Sequence, residues 1–109
     1  MRTLKFIVDK QSLTKDPDCD FSGLVPGTEG YIEAQFSFSP EWNNCVKVAG
    51  FYTPMGQELT PQVLKDGRSC LIPAEALARN SFKINVLGKR SDIKLTTNKV
   101  TISQNGGKA

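Results

Sequence analysis

Tyr31-Ile32-Glu33-Ala34-Gln35-Phe36-Ser37-Phe38 decides the fold class, because Ile32, Ala34, Phe36 and Phe38 alternate with Tyr31, Glu33, Gln35 and Ser37. A period of two places the first set on one face of an extended chain and the second on the other, as in a strand with one side on a core. The same rhythm occurs upstream, where Leu4, Phe6 and Val8 share a face, and downstream, where Phe82, Ile84 and Val86 do. In the stretch Cys45 to Tyr52 either face can be inward: Val46, Val48, Gly50 and Tyr52, or Cys45, Lys47, Ala49 and Phe51. Gly50 there marks a bulge or a close backbone approach. The last strand stretch, 93–103, has Ile93 and Leu95 on one parity and Val100 and Ile102 on the other. A bulge or bend is therefore expected near Thr97-Asn98, a place where a strand can change sheet.

Turn chemistry separates these stretches. Asp16-Pro17-Asp18 and Val25-Pro26-Gly27 mark residues 12–29 as a long connection, under which Leu24 and Val25 can tuck. Ser39-Pro40-Glu41-Trp42 suits one helical turn that swings Trp42 over the core. Pro61 reduces residues 58–64 to an edge strand. Asp66-Gly67 predicts a type I′ hairpin joining Val63-Leu64 to Ser69-Cys70-Leu71-Ile72. Residues 73–80, opened by Pro73 and stopped by Asn80, predict a helix of about two turns. With about seven short strands and one short helix, the fold class is all-β, a single immunoglobulin-like β-sandwich. The domain covers residues 1–104, and residues 105–109 form a flexible tail, with fraying expected from Gln104 onward.

The composition excludes several chemistries. The 109 residues hold 14 basic and 11 acidic side chains and no histidine, for a net charge of +3. Without imidazole there is no Ser-His-Asp triad, no Cys-His pair and no histidine-containing metal centre. Three cysteines, Cys19, Cys45 and Cys70, are an odd set without a CxxC spacing, which leaves at least one thiol free and argues for a reducing compartment. The apolar run Phe6-Ile7-Val8 is too short for a signal-peptide core or a membrane span, so synthesis in the cytoplasm is expected.

Asp16, Asp18 and Asp20 begin like a calcium loop. Phe21 stands where that motif needs glycine, and Gly27 where it needs glutamate, so the group reads as an ordinary solvated turn. The same carboxylates make Cys19 a poor nucleophile, and Cys45 and Cys70 read as small buried hydrophobes. Lys83, Lys89, Arg90, Lys94 and Lys99 bias the last third of the chain positive, without interleaved aromatics. They read as solvation of outer strand faces rather than as a nucleic-acid footprint. Trp42, Tyr31 and Tyr52 are the aromatics available to stack on a sugar, and Trp42 reads as part of the core. No catalytic, cofactor-binding or metal-ligating residue is expected.

The runs 31–42, 46–51, 66–77, 82–88 and Leu95-Thr96-Thr97-Asn98-Lys99-Val100 carry, in order, Phe-x-Phe, a Trp corner, Ile-Pro-x-Glu and Thr-Thr-Asn-Lys. In this the chain resembles the immunoglobulin-like modules of tailed phages and prophages of Gram-positive bacteria, found at the N-terminus of baseplate upper proteins. The resemblance implies a structural role in a tail or baseplate, with other phage structural proteins or a second copy as partner. It carries no catalytic residues and no cofactor. No fibre or receptor-binding domain follows within these residues, which adds decoration or capping of a virion, or binding of a host protein, to the expected roles. Edge strands and the sheet face carrying Glu33, Gln35 and Ser37 are the expected contact regions. The expected location is the host cytoplasm during synthesis and the virion if the protein is structural. The alternatives are a carbohydrate-binding module and an intracellular binder or inhibitor of a host protein.

Overall fold

A computed structural model describes residues 1–104. Among the described residues the strands run β1 (Arg2–Asp9), β2 (Ser12–Lys15), β3 (Ile32–Phe38), β4 (Val46–Tyr52), β5 (Gln62–Val63), β6 (Ser69–Leu71), β7 (Ser81–Arg90), β8 (Ile93–Thr96) and β9 (Val100–Ser103). A 3-10 turn covers Pro40–Trp42 and a helix, α1, covers Ala74–Leu77. The expected tail, residues 105–109, lies outside the described residues.

The first sheet has the order β2-β1-β3-β6. Its centre is a parallel pair, β1 against β3, in register from Arg2 opposite Ile32 to Val8 opposite Phe38. The in-phase alternation of the two strands makes this register the one that buries both apolar sets: Leu4, Phe6, Val8, Ile32, Ala34 and Phe36 are all buried. Phe6 stacks on its register partner Phe36 at 5.2 Å. A parallel pair needs a connection that returns to the starting end. Here β2 and the loop that follows it supply one, and Leu24 in that loop is buried whereas Val25 is half exposed.

The second sheet has the order β5-β4-β7-β8, with β9 also paired to β7. β8 and β9 occupy the same edge of β7, end to end. Leu87 faces Thr96 and Ile84 faces Val100, so two β7 residues stand opposite Thr97, Asn98 and Lys99. One surplus residue is a bulge, and it produces the parity switch visible in the sequence. The chain bends there without changing sheet. Buried Thr97 replaces the lost ladder bond: its Oγ1 accepts from the Val86 N–H at 3.0 Å and its own N–H donates to the Val86 carbonyl at 3.1 Å. Asn98 turns the other way and behaves as a strand neighbour of β2, accepting from the Leu13 N–H at 2.7 Å and donating to the Leu13 carbonyl at 3.1 Å. Thr97→Val keeps the volume but leaves a buried N–H unpartnered. The expected loss is about 1–3 kcal/mol, measurable by urea unfolding.

Several expectations are corrected. There are nine strands among the described residues rather than about seven, because β2 forms inside the stretch read as connection and the last stretch divides at the bulge. The Asp66-Gly67 turn forms with φ of 55° and 65°, as a type I′ turn requires. It does not make the hairpin expected, since β5 pairs with β4 and β6 with β3, and only Lys65 and Ser69 bridge across it. The turn carries the chain between sheets. Helix α1 is one turn long rather than about two: Ala78 already leaves the helix, and Asn80 leads directly into β7. Gln104 does not fray. It is fully buried, and its Nε2 donates to the carbonyls of Leu77 and Arg79 at 2.9 and 2.8 Å.

The core lies between the sheets, and β4 turns Ala49 and Phe51 into it. Trp42 closes one end. Fully buried, it packs against Phe38 at 5.2 Å and donates from Nε1 to the Lys10 carbonyl at 2.7 Å. Gly88 makes room for it, because a Cβ there would stand 2.7 Å from the indole.

Candidate functional site

The β1–β3 register places Thr3, Lys5 and Ile7 beside Glu33, Gln35 and Ser37 on the outer face of the first sheet. This is the face the sequence singles out, and it is mostly polar. Thr3 Oγ1 donates to Glu33 at 3.0 Å, so part of its hydrogen-bonding capacity is used within the sheet.

The outer face of the second sheet differs. With Ala49 and Phe51 inward, alternation turns Val46, Val48, Gly50 and Tyr52 outward. Register sets Val48 between Val63 of β5 and Leu87 of β7, giving an apolar row across three strands. Val46 and Val63 are each 66% exposed, while Val48 and Leu87 are half-buried by their neighbours. The next row along the strands reads Val46, Lys89, Lys94, with the two lysines directly opposite each other. Like charges in that position weaken strand pairing. A groove of about 780 Å³ runs along β4 and β7 from Val48 and Leu87 past Val46 and Lys89 to Asn44 and Ser91, and its lining carries Lys89, Arg90 and Lys94 but no carboxylate. On the other side of Val48 and Leu87, a smaller hollow of about 340 Å³ is bordered by Tyr52, Glu58 and Leu59.

The five basic residues noted in the sequence belong largely to this sheet. Lys83 lies opposite Tyr52 on its outer face, and the Lys99 ammonium sits 4.1 Å over the Tyr52 ring. Arg90 points the other way and fastens the 3-10 turn, donating to the carbonyls of Glu41 and Asn43 at 3.1 and 2.7 Å. Lys47 and Arg68 border a polar cleft, together with Asp66, Asn43 and Ser37. The Lys47 ammonium there lies 5.2 Å over Phe38 and donates to the Cys45 carbonyl.

The candidate reactive residues do not converge. Asp16 accepts from the Asp18 N–H at 2.9 Å, and Asp20 accepts from both the N–H and the hydroxyl of Ser22. The Ser22 bonds hold the Asp20 carboxyl below its usual range. Glu75 is lowered in the same way by Thr60, and Glu41 by Ser39. Asp16, Asp20 and Glu41 bond within their own turns, whereas Glu75 of α1 ties the helix to the Thr60 segment. Among the described residues no three Cys, Asp or Glu side chains gather as a metal would require. Cys19 accepts from the Lys5 N–H at 3.3 Å, and Cys45 and Cys70 are buried. Of the three aromatics available for sugar stacking, Trp42 is sealed in the core and Tyr52 lies under Lys99, which leaves Tyr31, 52% exposed, standing apart.

Burial, with a smaller contribution from Glu33, pushes the Cys70 thiol up to about 12 from an ordinary value near 9. Below pH 9 both folded and unfolded chains keep this proton, so it adds no pH dependence. Between 9 and 12 the unfolded thiol ionises and the folded one does not, so stability falls as pH rises, by about 1.4 kcal/mol per pH unit. Alkaline unfolding curves of Cys70→Ala are expected to lack this part of the slope that the parent shows.

Compared with models of known protein families, with curated proteins and with solved structures, the chain matches none. Among the described residues no helix is long and apolar enough to cross a membrane. Fold and surface together define an all-β, two-sheet domain whose most distinctive feature is an exposed apolar row with a basic border. The sequence pointed to edge strands and the face carrying Glu33, Gln35 and Ser37 as contact regions. A signal for an exposed apolar face was present in the sequence, since the Cys45–Tyr52 stretch is apolar on both parities and one of them had to remain outside.

Proposed function

We propose that this protein is a non-enzymatic interaction module of a phage or prophage, held in a tail, a baseplate or a virion surface by protein–protein contact through the outer face of its second sheet. The observation that carries this reading is the row Val63, Val48, Leu87 with Val46 beside it, on a face that nothing else in the described chain covers. Contiguous apolar surface bordered by charge is the usual mark of a contact site. The phage setting and the immunoglobulin-like kinship rest on the ordered motifs of the sequence. Within that kinship the parallel β1–β3 pair is a departure from two purely antiparallel sheets.

The test is incorporation. Mass spectrometry of particles purified from a culture that expresses the chain is expected to find it at a fixed copy number. Val48→Glu, at a half-exposed site that leaves the core intact, is expected to lower that number at least tenfold while circular dichroism stays unchanged. A chain that is absent from particles and monomeric in sedimentation would overturn the reading.

A further inference from the structure

We infer that the apolar row on the outer face of the second sheet receives an acidic amphipathic helix of a partner protein, lying across the strands; this rests on the reading above and specifies its occupant. The apolar row runs perpendicular to the strands, from Val63 through Val48 to Leu87, with Thr96 at its end. Four strands about 4.8 Å apart make a track of about 14 Å. At a rise of 1.5 Å per residue, nine or ten helical residues cover about that length. An added strand would instead pair with an edge and leave this face open.

Charge determines the character of the helix. The row containing Lys89 and Lys94 lies about 7 Å from the apolar row, two residues further along each strand. That distance is within reach of the flank of a helix about 10 Å wide seated on Val48 and Leu87. Carboxylates on that flank meet Lys89 and Lys94 and relieve the repulsion of two lysines paired across strands. On the other flank the lysines lie about twice as far from the apolar row, with Lys83 opposite Tyr52 and Lys99 over its ring, four residues along β4 from Val48, and Glu58 is paired with Tyr52 there. The partner helix therefore carries an aliphatic stripe with glutamates or aspartates mainly on one side. A second copy of this chain fits poorly, because the face carries Lys83, Lys89, Lys94 and Lys99 against Glu58. A polyphosphate chain would leave the apolar row without a partner.

A synthetic, end-capped helical peptide of 16 residues, with a leucine stripe flanked on one side by glutamates, serves as the probe, and the same peptide with lysines in place of glutamates as the control. Fluorescence anisotropy is expected to show the acidic peptide binding about tenfold tighter or better at 50 mM salt, with the difference closing at 500 mM as screening shortens the reach of charge. Val48→Glu is expected to weaken binding at least tenfold, and the double change Lys89→Glu with Lys94→Glu to reverse the preference between the peptides. Equal binding of both peptides, or none up to 1 mM, overturns the inference. If no peptide binds but the chain dimerises in sedimentation and Val48→Glu abolishes the dimer, the acidic helix is wrong and the contact face stands. If neither association occurs and the chain is also missing from particles, both fail.

Discussion

Trp42→Ala is expected to lower the free energy of unfolding by about 3–5 kcal/mol, the largest effect of any single truncation in this domain. The indole is fully buried, packs on Phe38 and supplies the hydrogen bond that satisfies the Lys10 carbonyl. Lys10 is itself held at a positive φ of 58° in the β1–β2 turn, with its N–H donating to Ser39 Oγ. Removing the indole therefore opens a cavity and also loosens a strained turn. Gly88→Ala approaches the same contact from the other side, since the new methyl would collide with the ring, and an overpacking cost of about 1–3 kcal/mol is expected. A double-mutant cycle measured by urea unfolding separates packing from backbone effects. In the Trp42→Ala background the cost of Gly88→Ala should shrink toward zero, because the ring it collides with is gone. An undiminished cost would show that Gly88 is required by the β7 backbone and not by the indole.

Gln104→Met is expected to cost about 1–3 kcal/mol, although the side-chain volumes nearly match and the change also removes a buried Oε1 that has no hydrogen-bond partner among the described residues. The amide donates to two carbonyls at the end of α1, Leu77 and Arg79, and its own N–H donates to the Asn80 carbonyl. The thioether leaves two of those acceptors without their donor in a buried place, and unsatisfied buried groups cost about 1–3 kcal/mol each. Thermal unfolding is the measurement, and a shift of less than about 4 °C would mean that water takes over the role of the amide.

How much was legible follows from what each pattern depends on. Period-two alternation survives any tertiary arrangement, so Leu4, Phe6, Val8 and the Ile32–Phe38 strand could be read directly. The parity switch between Leu95 and Val100 likewise marked the bulge at Thr97-Asn98. Which residues a strand pairs with is not a local property, so the split of β5 and β6 between sheets was hidden despite a well-formed type I′ turn. Gln104 was missed because a polar residue before Asn-Gly-Gly looks like the start of a tail, and only the carbonyls of a distant helix give it a reason to be inside. The candidate face escaped for a related cause. Leu87 sits on the otherwise polar parity of β7, and a lone leucine there means little until register sets it beside Val48 and Val63.

The β1–β3 pairing also has a temporal side. Arg2 waits for Ile32, and every later rung of that ladder joins residues thirty positions apart. Closing a loop of that size costs about 3 kcal/mol before the first rung returns anything. β1 can close a local hairpin with β2, but its central partner follows thirty residues later, so refolding from urea should take milliseconds to seconds rather than microseconds.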